Sequence, residues 1–174
     1  SMTDCAVALN NMAAAAEIAG NERQQPEHSH LNGGTFYDYY QTRDGRYVSI
    51  GSLEPQFMLG LAQILELPIV AEKGASFAPE DRTAVKRAIQ EKMLTKDFSE
   101  WNELFRTQDV CVEPVLSLHE ALHSALADER DWLVDVPLHE GSTKNEQQLA
   151  CPIKFSRSKI RYEFIGKSLG YDLL

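Results

Sequence analysis

The dipeptide Asp44-Gly45 constrains this chain more than any other pair of residues, because it falls between two runs that read as strands, Thr35–Thr42 and Arg46–Gly51. A tight hairpin needs positive φ at both central positions, and Asp-Gly is one of the few pairs that supply it. An antiparallel hairpin is therefore expected early in the chain. The pattern after it is helical. Pro55–Leu67 carries Phe57, Leu61, Ile64 and Leu65 at helical spacing, and Pro79–Leu94 carries Val85, Ile89 and Met93 every four residues. Pro79 suits a first helical turn. Asp97-Phe98-Ser99-Glu100 has the form of a capping box and opens a short helix to Phe105.

Further on, Val110–Leu116 reads as a strand despite Pro114, and Ser117 opens a helix reaching about Asp128. Leu133–Leu138 and Leu149–Phe155 read as two late strands joined by the polar loop Glu140–Gln147. Ahead of the hairpin, Thr3–Gly20 reads as one alanine-rich helix ending at Gly20-Asn21, with Val7, Ala14 and Ile18 on one face. It is apolar nearly all round, which requires burial on more than one side and hints at a partner surface. A polar, turn-rich linker, Asn21–Gly34, follows. The chain has no internal repeat, and the mixture of a hairpin, later strands and several helices is α+β.

Ser1 ahead of Met2 reads as a cloning remnant, so the chain is expected to be either a free-standing half-protein or a piece of a longer one. Its 174 residues suit one domain with extensions, and 43% hydrophobic residues are enough for a core. No apolar run approaches the ~20 residues that cross a bilayer. A formal charge of −9 argues against a nucleic-acid binder, which needs a basic face. The basic cluster Lys154, Arg157, Lys159 and Arg161 reads as a solvated strand or, with Ile160, Tyr162 and Phe164 among it, as a tail lying along another surface. Cys5, Cys111 and Cys151 make neither a metal spacing nor an even disulfide set, and with no signal peptide the expected location is cytoplasmic, with reduced thiols.

Three features invite a chemical reading. His119-Glu120-Ala121-Leu122-His123 has the HExxH pattern of a zinc site. However, Ser117-Leu118-His119-Glu120 is itself a capping box that gives Glu120 a local role, and only His139 offers a third ligand, so no metal is assigned. Cys111 could be a nucleophile, yet in the apolar run Val110-Cys111-Val112 a small buried residue is the default. Glu54, directly before Pro55, falls at a helix N-cap where glutamate is not a preferred residue. There the helix dipole stabilises its charge and makes it a good fixed anion for orienting a histidine.

Two blocks carry a family likeness. The first runs from Gly33-Gly34-Thr35-Phe36-Tyr37-Asp38-Tyr39-Tyr40 through Asp44-Gly45-Arg46-Tyr47-Val48-Ser49-Ile50-Gly51 to Leu53-Glu54-Pro55-Gln56-Phe57. The second is Trp101 and Phe105 followed by Asp109-Val110-Cys111-Val112-Glu113-Pro114-Val115-Leu116. In order and spacing both resemble the small domain of family III CoA-transferases, the α-methylacyl-CoA racemase type above all. Pro152-Ile153-Lys154-Phe155-Ser156 is similar to the strand that returns to that family's large domain.

The resemblance implies residues 2–34 as a helix and linker packing on a large domain, 35–138 as the small domain, and 139–174 as a C-terminal wrap. It implies exchange of the proton α to a CoA thioester, with a histidine and an aspartate as acid and base, or, in the related transferases, CoA transfer through an aspartate. Glu54 matches the motif of the glutamate that supports that histidine. Gly33, Gly34, Tyr40, Gln56, Asp109 and Cys111 match positions beside the active site. The CoA thioester is substrate or ligand, and no further cofactor is implied. The family's histidine and aspartate come from an N-terminal domain that would precede Thr3, so these residues alone are expected to form an incomplete, inactive site. A homodimer or docking on an N-terminal half-protein is implied. An acyl-CoA-binding or protein-interaction module reusing the scaffold is the other reading.

The chain also departs from the family. Its short Asn32-Gly33-Gly34 turn favours the racemase branch over the transferases with a long glycine loop. Glu113 stands where a small or hydroxylated residue is usual, and the family's His-Pro-His and Arg-Gly pairs are missing around His123–Asp131.

Overall fold

The computed structural model describes residues 1–20, 23, 25, 29–31 and 33–166. Asn32, most of the expected 21–34 linker and the end of the expected wrap from 167 onward lie outside the described residues. The chain divides into two compact units, Ser1–Val115 and Leu116–Leu174. A boundary at 138 was expected, but it falls inside a hairpin of the second unit. The mixed helix-and-strand architecture is α+β, as the sequence pattern indicates.

The first unit is built around a three-stranded antiparallel sheet, in the order β1 (Asp38–Gln41), β2 (Tyr47–Ile50), β3 (Val112–Pro114). Register pairs Asp38 with Ile50 and Gln41 with Tyr47 across the hairpin, and Ile50 with Val112 on the other side. The turn is one residue longer than a two-residue hairpin. Thr42 N–H donates to the Arg46 carbonyl, Gly45 N–H to the Thr42 carbonyl, and Gly45 alone takes positive φ, at +80°. Asp44 is freed from the left-handed region. Its carboxylate accepts from the Thr42 hydroxyl at 2.5 Å and from the Phe98 N–H at 3.0 Å, so it ties the turn to the next helix.

Four helices cover the inner face of the sheet: α3 (Pro55–Leu65), α4 (Pro68–Lys73), α5 (Pro79–Met93) and α6 (Phe98–Phe105). The helix expected to reach Leu67 stops two residues earlier. Glu66 adopts a left-handed C-cap, the Leu67 N–H returns to the Ala62 carbonyl, and Pro68 starts a short helix that the sequence pattern did not indicate. Helix α5 buries Val85, Ile89 and Met93, the expected i, i+4, i+8 face. The α6 capping box forms on its glutamate side, with the Asp97 N–H donating to Glu100 at 2.9 Å. Trp101 is fully buried, and its indole N–H satisfies the last-turn carbonyl of Met93 at 2.8 Å.

The N-terminal segment is two helices rather than one, α1 (Met2–Leu9) and α2 (Asn11–Gly20). Asn10 breaks it: its side-chain amide donates to the Ala6 carbonyl at 2.8 Å, a local bond that competes with helix continuation. Neither helix has a buried residue, contrary to the burial that their composition requires.

The second unit contains α7 (Leu118–Leu122), α8 (Ala125–Glu129) and a hairpin of β4 (Leu133–Pro137) with β5 (Asn145–Leu149). The single helix expected to Asp128 is split, because Ser124 caps a new helix by accepting from the Ala127 N–H at 3.1 Å. The last strand ends at Leu149 instead of starting there. Residues 145–147, read as the end of the loop, and Gln148 pair with β4, and Pro152–Phe155 is irregular. Pairing with β4 overrides the weak strand propensity of Asn-Glu-Gln-Gln. Among the described residues no helix is long and apolar enough to cross a membrane.

Candidate active-site wall

Where the β2–β3 ladder ends, two connections run on side by side. One is Gly51–Glu54, leading into α3; the other is Gln108–Cys111, leading into β3. Three clasps join them. The Gly51 N–H donates to the Cys111 carbonyl at 2.8 Å, extending the ladder beyond Ile50–Val112. The fully buried Ser52 hydroxyl donates to the Val110 carbonyl. On α3, Gly60 lies so near Val110 that a Cβ there would be 2.8 Å from its Cγ1.

These clasps bring Glu54 and Cys111 together. Glu54 is the N-cap of α3, as its place before Pro55 predicts, with extended backbone (φ −67°, ψ 141°) and no side-chain cap bond. Its carbonyl starts the helix by accepting from the Met58 N–H, while its carboxylate stays exposed. Cys111 is exposed rather than buried, and its φ of +51° lies in the left-handed region, which few side chains other than glycine adopt. Desolvation pushes its thiol upward, and the carboxylates of Glu54, Asp109 and Glu113 push it the same way. That environment suppresses the thiolate and speaks against nucleophilic use of Cys111. A polar cleft of about 360 Å³ adjoins it, lined by Asn102, Gln108, Asp109, Cys111, Glu113 and Pro114 among others.

Of the residues singled out in the sequence, Glu54, Asp109 and Cys111 share this end of the sheet. Gln56 is exposed in the first turn of α3. Tyr40 belongs to the hydrophobic core: it is 2% exposed and its hydroxyl donates to the Phe36 carbonyl at 2.8 Å. Burial drives its phenol far above the usual range, so it stays neutral. Gly33 and Gly34 sit beside α5. Gly33 has φ +78° and accepts from Lys86 Nζ at 3.1 Å, and Lys86 also pairs with Asp38 at 2.7 Å.

Sequence reasoning missed Ser52 and Tyr37. A Cβ on Gly51 would lie 3.2 Å from the Tyr37 ring, so any larger residue would press on that ring. The available signal was a small hydroxyl residue set between Gly51 and Leu53 just past the strand pattern.

The HExxH segment is a capping structure. The Glu120 carboxylate accepts from the Ser117 N–H and hydroxyl, each at 2.8 Å, and the His119 and His123 rings lie against each other at 4.3 Å. Among the described residues no three His, Cys, Asp or Glu side chains converge as metal ligands.

Comparison with known proteins places this architecture. The family description CoA-transferase family III matches residues 1–167. The α-methylacyl-CoA racemase of Mus musculus is 36% identical over 94 residues, 53% of this chain and 24% of that protein. The Homo sapiens racemase is 34% identical over the same length and also matched over 24% of its own length. Among solved structures, Rv3272 of Mycobacterium tuberculosis superposes with a TM-score of 0.69 at 16% identity, covering 94% of this chain and 42% of that one. A CaiB/BaiF family protein from Brucella suis gives a TM-score of 0.60 at 18% identity, over 90% and 40%. The fold thus has its counterpart in solved structures of one family. The chain belongs to CoA-transferase family III, and the matched stretch spans about a quarter of the racemases' length.

Proposed function

We propose that these residues form one wall of a racemase-type site that exchanges the proton α to the carbonyl of a 2-methylacyl-CoA thioester. One observation carries the reading: Glu54 presents an exposed carboxylate, uncommitted to its own helix cap, on a loop clasped in place by Gly51 and Ser52. A carboxylate held in this way orients an imidazole and stabilises its protonated form. The imidazole, the opposing base and most CoA contacts are supplied by another polypeptide segment, so the 174 residues alone are inactive. Helices α1 and α2 expose Met2, Val7, Leu9, Met12 and Ile18, a surface suited to a homodimer or an N-terminal half-protein. The three free cysteines suit a reducing, cytoplasmic setting.

The test is α-proton exchange on a 2-methylacyl-CoA in deuterated water, followed by mass spectrometry. The chain alone is expected to give the buffer rate. Addition of a family III large domain is expected to restore exchange, and Glu54→Gln to lower it about 10- to 100-fold, as for loss of a group that orients a catalytic ligand. Restored exchange that is indifferent to Glu54→Gln rejects the assigned role.

The crowding of Glu54, Asp109 and Glu113 around Cys111 favours a second reading, a non-catalytic acyl-CoA-binding or protein-interaction module, since three carboxylates oppose a developing enolate. Calorimetric binding of the CoA thioester without exchange in the reconstituted protein supports that alternative.

A further inference from the structure

We propose that the second unit holds a binding site for a small amphipathic monocarboxylate, in the hollow between α7–α8 and the β4–β5 hairpin. The hollow measures about 470 Å³, a size suited to a small molecule. Its walls are apolar: Leu122 from α7, Trp132 and Leu149 from the open end of the hairpin, and Pro152 beyond it. It is not the centre of a core, because Ala127 and Val136 are the only buried hydrophobic residues of this unit among those described.

Charge at the lining selects the ligand. Lys154 Nζ donates to the Arg130 carbonyl at 2.9 Å, which holds the ammonium at the rim with donors to spare. The Arg130 side chain and the Trp132 indole N–H make no hydrogen bond or ion pair among the described residues. Asp131 is the one acidic residue in the lining, so the two cations leave a local excess of one positive charge. In a chain of net charge −9, such an excess over an apolar hollow matches a single carboxylate with a hydrocarbon tail. A diphosphate would meet too little positive charge, and an ammonium headgroup would be repelled. None of its lining residues belongs to the Glu54 wall.

Cys151 lies in the same lining and reports occupancy. In the full chain carrying Cys5→Ser and Cys111→Ser, maleimide labelling of Cys151 is measured with millimolar octanoate and with octylammonium. Octanoate is expected to slow labelling saturably, by about threefold or more, and to shift the Trp132 indole N–H resonance. Octylammonium is expected to do neither. Arg130→Ala with Lys154→Ala is expected to weaken the octanoate effect about tenfold, as for loss of charge-assisted hydrogen bonds.

Equal protection by both amphiphiles overturns the proposal. So does protection that follows protein concentration instead of octanoate, or the absence of any octanoate effect on labelling and on the Trp132 resonance in a protein with an unchanged circular dichroism spectrum.

Discussion

The two units use their apolar residues in opposite ways. In Ser1–Val115 the sheet and its covering helices bury Ile50, Leu61, Leu65, Ile89, Met93 and Trp101 completely. In the second unit Ala127 and Val136 are the buried hydrophobic residues among those described, while Leu118 and Leu149 are 74% and 70% exposed. A two-stranded hairpin with two one-turn helices has little to hold it together in water. The body of the first unit from Phe36 to Val112 therefore carries its own stability, whereas the second unit needs a covering surface or ligand.

The largest effect that could break this contrast comes from the two tryptophans. Trp101→Ala removes a fully buried ring and the donor to the Met93 carbonyl, and is expected to cost about 3–5 kcal/mol. Trp132→Ala, at a residue 36% exposed, is expected to cost about 1 kcal/mol or less. Urea titration followed by circular dichroism reads both, and equal costs would show that the units share one cooperative core.

A second substitution sharpens the contrast at the seam that positions Glu54. Gly60→Ala drives a methyl to 2.8 Å from Val110 Cγ1, and the neighbour is a packed side chain with little room to retreat. Overpacking of this kind is expected to cost about 1–3 kcal/mol. Because α3 must then shift against the Val110–Cys111 connection, Cys111 alkylation is expected to change along with the urea midpoint. A lower midpoint with unchanged Cys111 reactivity would separate fold stability from site geometry.

In the second unit the corresponding change is smaller and local. Ser117→Ala removes the hydroxyl that accepts from the Glu120 N–H at 3.2 Å, and is expected to cost about 1 kcal/mol. It should accelerate amide exchange in Leu118–Leu122 and leave the protection of α5 unchanged, if the first unit is stable on its own.

How far the sequence revealed this molecule follows the same division. The hairpin, the buried face of α5 and the N-cap position of Glu54 were legible because each rests on local chemistry: turn residues, a four-residue apolar repeat, a proline. Long-range pairing was not legible. The polar stretch Asn145–Gln147 reads as loop and becomes strand only because Asp135–Pro137 lies opposite it. Tyr40 reads as a site residue by motif, yet its hydroxyl is turned inward to Phe36. Cys111 reads as buried by its neighbours Val110 and Val112, but a left-handed backbone rotates it outward, which no alternation of apolar residues encodes. Ser52 acquires its role from Val110, more than fifty residues away in the chain.

The smallest expected effect bears most directly on the site. Desolvation raises the Cys111 thiol, and the carboxylates of Glu54, Asp109 and Glu113 raise it further. A thiol raised on folding binds its proton more tightly in the native state. Its contribution to stability is therefore present below the ordinary thiol range, ~8.5, and is lost as pH rises through the shifted value. The pH profile of Cys111 alkylation, measured with Cys5→Ser and Cys151→Ser, is expected to have its midpoint above that ordinary range. Glu54→Gln removes one of the three charges while leaving desolvation in place, so the midpoint should fall part of the way back. Asp109→Asn should move it in the same direction. If Glu54→Gln leaves the profile where it was, the Glu54 carboxylate does not face Cys111, and the firm unit keeps its fold without the charged wall that links it to proton exchange.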